Sequence, residues 1–212
     1  AKLGNYNTFM QEVGFMHVGA MDMLNIKYLI SLEKMEHPLL LPVHEGSLFH
    51  VDKYEQAYVY EYKHWKKRLF FAKNIELVNV DQVVEKLKLA SFNPMETAYI
   101  VEDVGEIQSD TNAHAEIVKW EPDKITFKTS VDSPQLLIMS EIFYPEGWEI
   151  VDSPNIDIIQ VNHILRGVVV PTGTHQFTMA FNPTDVQNGS IITWLSLLFI
   201  LGMIFSPFIR KK

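Results

Sequence analysis

Apolar positions fall into three regimes along this chain. Residues 191–209 read IITWLSLLFILGMIFSPFI, without a single charge, and end on Arg210, Lys211 and Lys212. A helix of that length rises about 28 Å, close to the hydrocarbon thickness of a bilayer. The pattern therefore predicts one transmembrane helix over 191–209. Lys and Arg favour the cytoplasmic flank of a span, so the C-terminus is expected in the cytoplasm and everything before Ile191 outside it.

The N-terminal half mixes helical and alternating patterns. Thr8 and Gln11 have capping-box spacing, and Phe9, Val13, Met16 and Ala20 recur near helical spacing, which predicts a helix over 9–22 despite Gly14 and Gly19. Met10, Met16, Met21 and Met23 read as packing residues rather than a ligand-binding face. Residues 24–30 alternate as a strand does, whereas 33–56, with Pro38, Pro42 and Gly46, reads as irregular. Shorter strands are expected over 58–62, 68–72 and 97–101. Asp81 is the expected cap of a helix through Val83, Val84 and Leu87 that stops near Ser91, ahead of Asn93-Pro94.

From about residue 115 the third regime begins. Strands are expected over 116–120, 125–129, 135–143, 148–151, 156–160, 166–170 and 174–181, with turns at 121–124 and 171–173. Short strands at this spacing, with no helical pattern between them, describe a β-sandwich. Gly105, Ser109, Asp110, Thr111 and Asn112 gather between 104 and 114. The fold expected is α+β: a mixed α/β part over 1–108, an antiparallel β-sandwich over 109–187, and one transmembrane helix over 191–209.

Charge narrows the partners. The formal net charge of −8 becomes −11 without Arg210, Lys211 and Lys212. Such a surface repels nucleic acid and anionic lipid, so no nucleic-acid partner is expected. With no cysteine, thiol catalysis and thiolate metal sites are excluded. The chain opens on Ala1-Lys2-Leu3-Gly4, with neither an initiator Met nor an apolar leader. The expectation is a piece of a longer protein whose earlier spans deliver it across the membrane.

Residues 140–148, SEIFYPEGW, followed by 166–175, RGVVVPTGTH, form a specific combination. It resembles the C-terminal soluble domain of the YfhO-like family of bacterial polytopic membrane proteins. Residues 23–30, MLNIKYLI, and 68–72, RLFFA, extend the likeness from about residue 20 to the terminal helix. Three features depart from the family pattern: Glu146 lengthens the Tyr-Pro-Gly-Trp segment, 152–155 replaces an Asp-Gly turn, and Lys67 stands where a Pro is usual. The resemblance implies a membrane protein related to glycosyltransferases that use lipid-linked sugars. It also implies a catalytic acidic residue in an early loop that this chain does not contain. The chain would be an accessory, non-catalytic domain, with the bilayer, the remaining spans of the same protein, and a glycan or lipid-linked sugar as partners. No cofactor is expected.

Five residues are candidates for ligand binding: Tyr144, Trp148, Arg166, Glu141 and His175. Tyr144 and Trp148 flank 145–147 either as an aromatic platform for a sugar ring or as a sandwich corner with Trp148 in the core. Arg166 with Glu141 forms either an oxyanion clamp or a pair between neighbouring strands. His175 closes the Pro-Thr-Gly-Thr-His segment that belongs to the resemblance. None of the eight His has metal-site spacing; His44 and His50 fall in an expected loop, and His163 and His175 on separate strands. A paired-carboxylate hydrolase would draw on Glu102, Asp103 and Glu141. Residues 58–67, YVYEYKHWKK, read as a strand face running into a basic turn near lipid headgroups, and Asn188-Gly189-Ser190 as a chance glycosylation match. Two alternatives to the accessory role stand beside it: a structural domain packed on its own membrane region, and a glycoside hydrolase.

Overall fold

The structure, a computed structural model, describes residues 4–144, 146–153 and 155–209, without the side chains of Gln187 and 204–209. The expected helix over 9–22 is two helices, α1 (Gly4–Glu12) and α2 (Val18–Met23). Gly14, at φ +73°, closes α1, with the amides of Val13 and Gly14 both donating to the Phe9 carbonyl. Only glycine enters that backbone region without a steric cost. Thr8 lies inside α1 and caps nothing at its start.

The strand expected over 24–30 begins later, as β1 (Tyr28–Ser31); the strand expected over 58–62 lies in β3 (Lys53–Tyr62), which starts five residues earlier, and the stretch expected to be irregular supplies its hairpin partner, β2 (Leu40–His50). Pro42 and Gly46 misled the sequence reading. In the three-stranded sheet β1-β3-β2, β2 is an edge strand, and a register shift between Pro42 and His44 absorbs the proline. An edge strand tolerates a missing N–H.

After β4 (Leu69–Phe71) comes a strand that went unforeseen, β5 (Asn74–Leu77), then α3 (Val80–Leu87) and β6 (Thr97–Ile100). β5 and β6 pair in parallel, and α3 is the crossover that a parallel pair needs. Asn79, not Asp81, is its N-cap: its amide donates to Gln82 Oε1 at 3.3 Å, while Asp81 sits in the first turn, where a negative charge suits the helix dipole. The helix ends at Leu87, short of Ser91.

Seven further strands follow: β7 (His114–Glu121), β8 (Lys124–Val131), β9 (Gln135–Ile142), β10 (Trp148–Ile150), β11 (Ile158–Val161), β12 (Leu165–Val170) and β13 (Gly173–Phe181). They join two sheets: a four-stranded sheet ordered β10-β13-β8-β7, antiparallel throughout, and a six-stranded sheet ordered β4-β9-β12-β11-β6-β5. The larger sheet takes β4, β5 and β6 from before residue 108 and the rest from after it. The expected boundary thus falls within one hydrogen-bonded layer.

The six-stranded sheet has two apolar faces, which explains why β9 is an unbroken buried run rather than an alternating one. Leu136, Ile138, Ile159, Val161 and Leu165 pack with Phe9, Ala20 and Met23 of the first two helices and with Val83 and Leu87 of α3. Leu137, Met139, Val168 and Val170 pack with Ile125, Phe127, Phe177 and Met179 of the four-stranded sheet. The class is mixed α+β, dominated by strands.

The chain ends in α4 (Thr184–Ile209), seven residues longer at its start than expected. It is the one helix among the described residues long and apolar enough to cross a membrane. Ile191, Trp194, Leu198 and Phe199 are all exposed, so none of the described residues covers them. Two of its hydroxyls turn back on the helix: Thr193 Oγ1 donates to the Gly189 carbonyl and Ser196 Oγ to that of Ile192, both at 2.8 Å. These bonds satisfy both hydroxyls within the helix.

Candidate functional site

Four of the five candidate residues lie where one end of β9 and β12, in the six-stranded sheet, meets β10 of the four-stranded sheet. Arg166 alternates with Val168 and Val170 along β12, so its side chain faces the four-stranded sheet, where Nη1 lies 3.6 Å from Met179 Sδ. Arg166 is only 6% exposed; its Nε donates to the Ile142 carbonyl at 3.0 Å, and its guanidinium carbon lies 4.0 Å from the centre of the Trp148 ring. Burial lowers its pKa from 12.5 to about 10, and Glu141 opposes that shift. The group keeps its charge at neutral pH.

Glu141 does not bond Arg166. It accepts a hydrogen bond from Arg68 Nη1 at 2.5 Å, and the Arg68 guanidinium in turn covers the Trp120 ring at 4.4 Å. The carboxylate thus serves two cations, one bonded and one near. Sequence reasoning missed Arg68 and Trp120. The available signal was a cation at the mouth of the apolar 69–71 strand, which needs an acidic neighbour once the strand is buried.

Beyond Trp148 the aromatic series continues. The Phe181 ring lies 5.3 Å from Trp148, and Tyr144 meets Phe181 edge-on at 6.1 Å. Gly147, at φ +98°, lets the corner between β9 and β10 close: a Cβ there would lie 2.8 Å from Phe181 and 3.1 Å from Pro183. One face of Trp148 is occupied by Arg166 and its neighbourhood by Phe181, so Tyr144, at 40% exposed, is the open ring. Tyr144, Glu146, Gly147, Phe181 and Pro183 line a groove of about 390 Å³ with Thr184, Asp185 and Val186 of the first turn of α4. A second hollow of about 290 Å³ lies beside Lys67, Arg68, His114 and Glu116.

His175 stands apart from this group. It lies near the far end of β13, six residues from Phe181 and so about 20 Å away along the strand. Its Nε2 is 2.8 Å from the Thr172 carbonyl and its ring stacks on Phe177 at 5.8 Å, contacts that hold the turn at 171–173. Asp103 borders a different hollow of about 350 Å³, with Ile75, Leu77 and Ile100. Among the described residues, no group of three His, Asp or Glu side chains converges to hold a metal ion. Comparison with protein-family models, curated proteins and solved structures found no match.

Proposed function

We propose that this chain is a membrane-anchored accessory domain of a YfhO-like protein, in which α4 crosses the bilayer and the two larger sheets form the leaves of a sandwich held outside the cytoplasm. In this role the groove beside Tyr144 receives the sugar of a lipid-linked donor or of an envelope glycan, and the chemistry belongs to a part of the protein outside this chain. The observation that carries the proposal is adjacency: the groove is lined by the first turn of α4; with α4 in a bilayer, that turn would stand near where the head of a lipid-linked sugar leaves it. Its chemistry suits a sugar. An open tyrosine face packs against C–H groups, while Glu146 and Asp185 offer acceptors for hydroxyls.

Titration of the detergent-solubilised chain with a polyprenyl phosphate bearing one hexose tests this. The expected result is saturable quenching of tryptophan fluorescence that Tyr144→Ala abolishes. Equal responses from both chains, or none from either, would overturn sugar binding. A second arm tests orientation: in intact cells, a membrane-impermeant maleimide should label Lys128→Cys at once and Lys212→Cys only after permeabilisation.

The packing of Trp148 against Arg166 and Phe181 favours a second reading, in which the corner braces the domain on its own membrane region and binds no sugar. Titration without response, combined with normal insertion of α4, would leave that reading in place.

A further inference from the structure

Among the described residues, the β2–β3 hairpin is left open toward its tip and covered toward its base. Leu40, Tyr60 and Tyr62 pack there with Met21 and Leu29. The same face of the ribbon continues outward through Tyr58 to Tyr54, and Phe49 lies opposite Tyr54 in register with the rings 5.3 Å apart. Toward the tip that face is open: Phe49 is 61% exposed, Val51 74% and Tyr54 77%. A two-stranded ribbon with nothing against it is marginal in water.

The turn supplies an independent observation. Val51 and Asp52 both adopt left-handed backbone, at φ 46° and 65°. Such turns favour Gly, Asn or Asp, and a β-branched side chain there is strained. Here the strained residue is an apolar one at the outermost point of the ribbon. Neither folding nor solubility calls for it.

The base of the arm and the start of the terminal helix are linked through one end of β9. From β3 the chain reaches Lys66, whose carbonyl accepts from Asn25 Nδ2, and then Arg68, whose carbonyl accepts from the Ser140 amide at 2.8 Å. Ser140 and Glu141 lie where β9 runs out toward Tyr144, and Tyr144 packs on Phe181, three residues before α4.

We propose that the β2–β3 hairpin is a second membrane contact of this chain, seating Phe49, Val51 and Tyr54 at the headgroup boundary of a zwitterionic bilayer. The proposal rests on the reading of α4 as a membrane span. Charge decides between occupants. The outer ribbon carries Glu45, Asp52 and Glu55 against Lys53, and Glu55 is already shared by Lys53 at 2.6 Å and His50 at 3.0 Å. An acidic second copy and an anionic surface are both repelled. A neutral interface accepts aromatic rings and carries no such penalty.

The chain has no cysteine, so single probes are readily placed. An environment-sensitive fluorophore is attached to Val51→Cys, Leu198→Cys or Lys128→Cys in the full chain, reconstituted in phosphatidylcholine vesicles. The expected result is blue-shifted emission quenched by shallow spin-labelled lipid at 51 and by deep spin-labelled lipid at 198, with 128 quenched by aqueous iodide. Iodide quenching at 51 with lipid quenching at 198 overturns the proposal and leaves the anchor intact. Shielding of 51 from both quenchers shows a protein covering the arm and equally overturns it. Loss of lipid quenching at 198 removes the anchor, and this inference falls with it.

Discussion

Replacing Gly167 by Ala adds one methyl group at the centre of the six-stranded sheet. Arg166 faces the four-stranded sheet, and Gly167 faces the helical side, against Ile159, Val161 and Leu136. A Cβ at 167 would lie 2.4 Å from Val161 Cγ2, 3.0 Å from Leu136 Cδ1 and 3.3 Å from Ile159 Cγ1. Carbon atoms in contact prefer about 3.5–4.0 Å, so Val161 would have to retreat by more than an ångström. It is fully buried, and a β-branched side chain has little rotamer freedom with which to retreat. Overpacking of this kind costs about 1–3 kcal/mol. Restricting the unfolded chain returns about 0.4–1 kcal/mol. From the middle of both ranges the net loss is about 1 kcal/mol, which lowers the melting temperature by about 2–4 °C for a protein of this size. Thermal melts followed by near-ultraviolet circular dichroism in detergent measure it. Gly4→Ala, which meets nothing within 4 Å, is the control and should hold or raise the melting temperature. A Gly167→Ala chain as stable as this control would refute the packing argument and, with it, the physical reason for an Arg-Gly pair in β12.

Three further outcomes are expected. Tyr62 donates to Asp22 Oδ1 at 2.7 Å, and burial followed by that carboxylate pushes the phenol pKa up; Tyr62→Phe should cost about 1–3 kcal/mol in urea unfolding because it leaves a buried carboxylate unmatched, and an unchanged midpoint would refute this. Glu141→Ala should cost more than Arg68→Ala, about 1–2 against less than about 1 kcal/mol, since it strips both guanidinium groups of a carboxylate while the second change removes one half-exposed partner; equal losses would count against the shared carboxylate. Burial holds the pKa of His163 below 6.5, with a smaller opposing influence from the backbone of Asn5. The unfolded chain therefore binds more protons just below that pH, and stability should fall from pH 7.5 to 5.5. His163→Asn, which accepts the left-handed backbone at φ 68°, should flatten that limb, and an unaltered slope would place the titration elsewhere.

Patterns confined to one segment are legible from the order of residues. The charge-free run at 191–209 lies in α4, and the short strands expected after residue 115 correspond to β7 to β13, because both depend only on neighbouring side chains. The local reading stops where distant segments decide. Pro42 and Gly46 look like breakers until β2 is seen to be an edge strand with a register shift, and residues 74–77 become a strand only because β6 lies parallel beside them. The break at Gly14 splits what spacing alone reads as one helix, since periodicity carries no record of backbone handedness. Glu141 lies nearer in sequence to Arg166, yet it bonds Arg68 because β4 pairs with β9 across some seventy residues. His175 and Trp148 come from the two segments of one sequence combination, yet Trp148 of β10 pairs with Phe181 while His175 lies near the other end of β13. Sequence alone determined which segments are apolar, alternating or charge-free; tertiary structure decided which polar groups meet, because a buried charge takes its partner from whichever strand the sheet lays beside it.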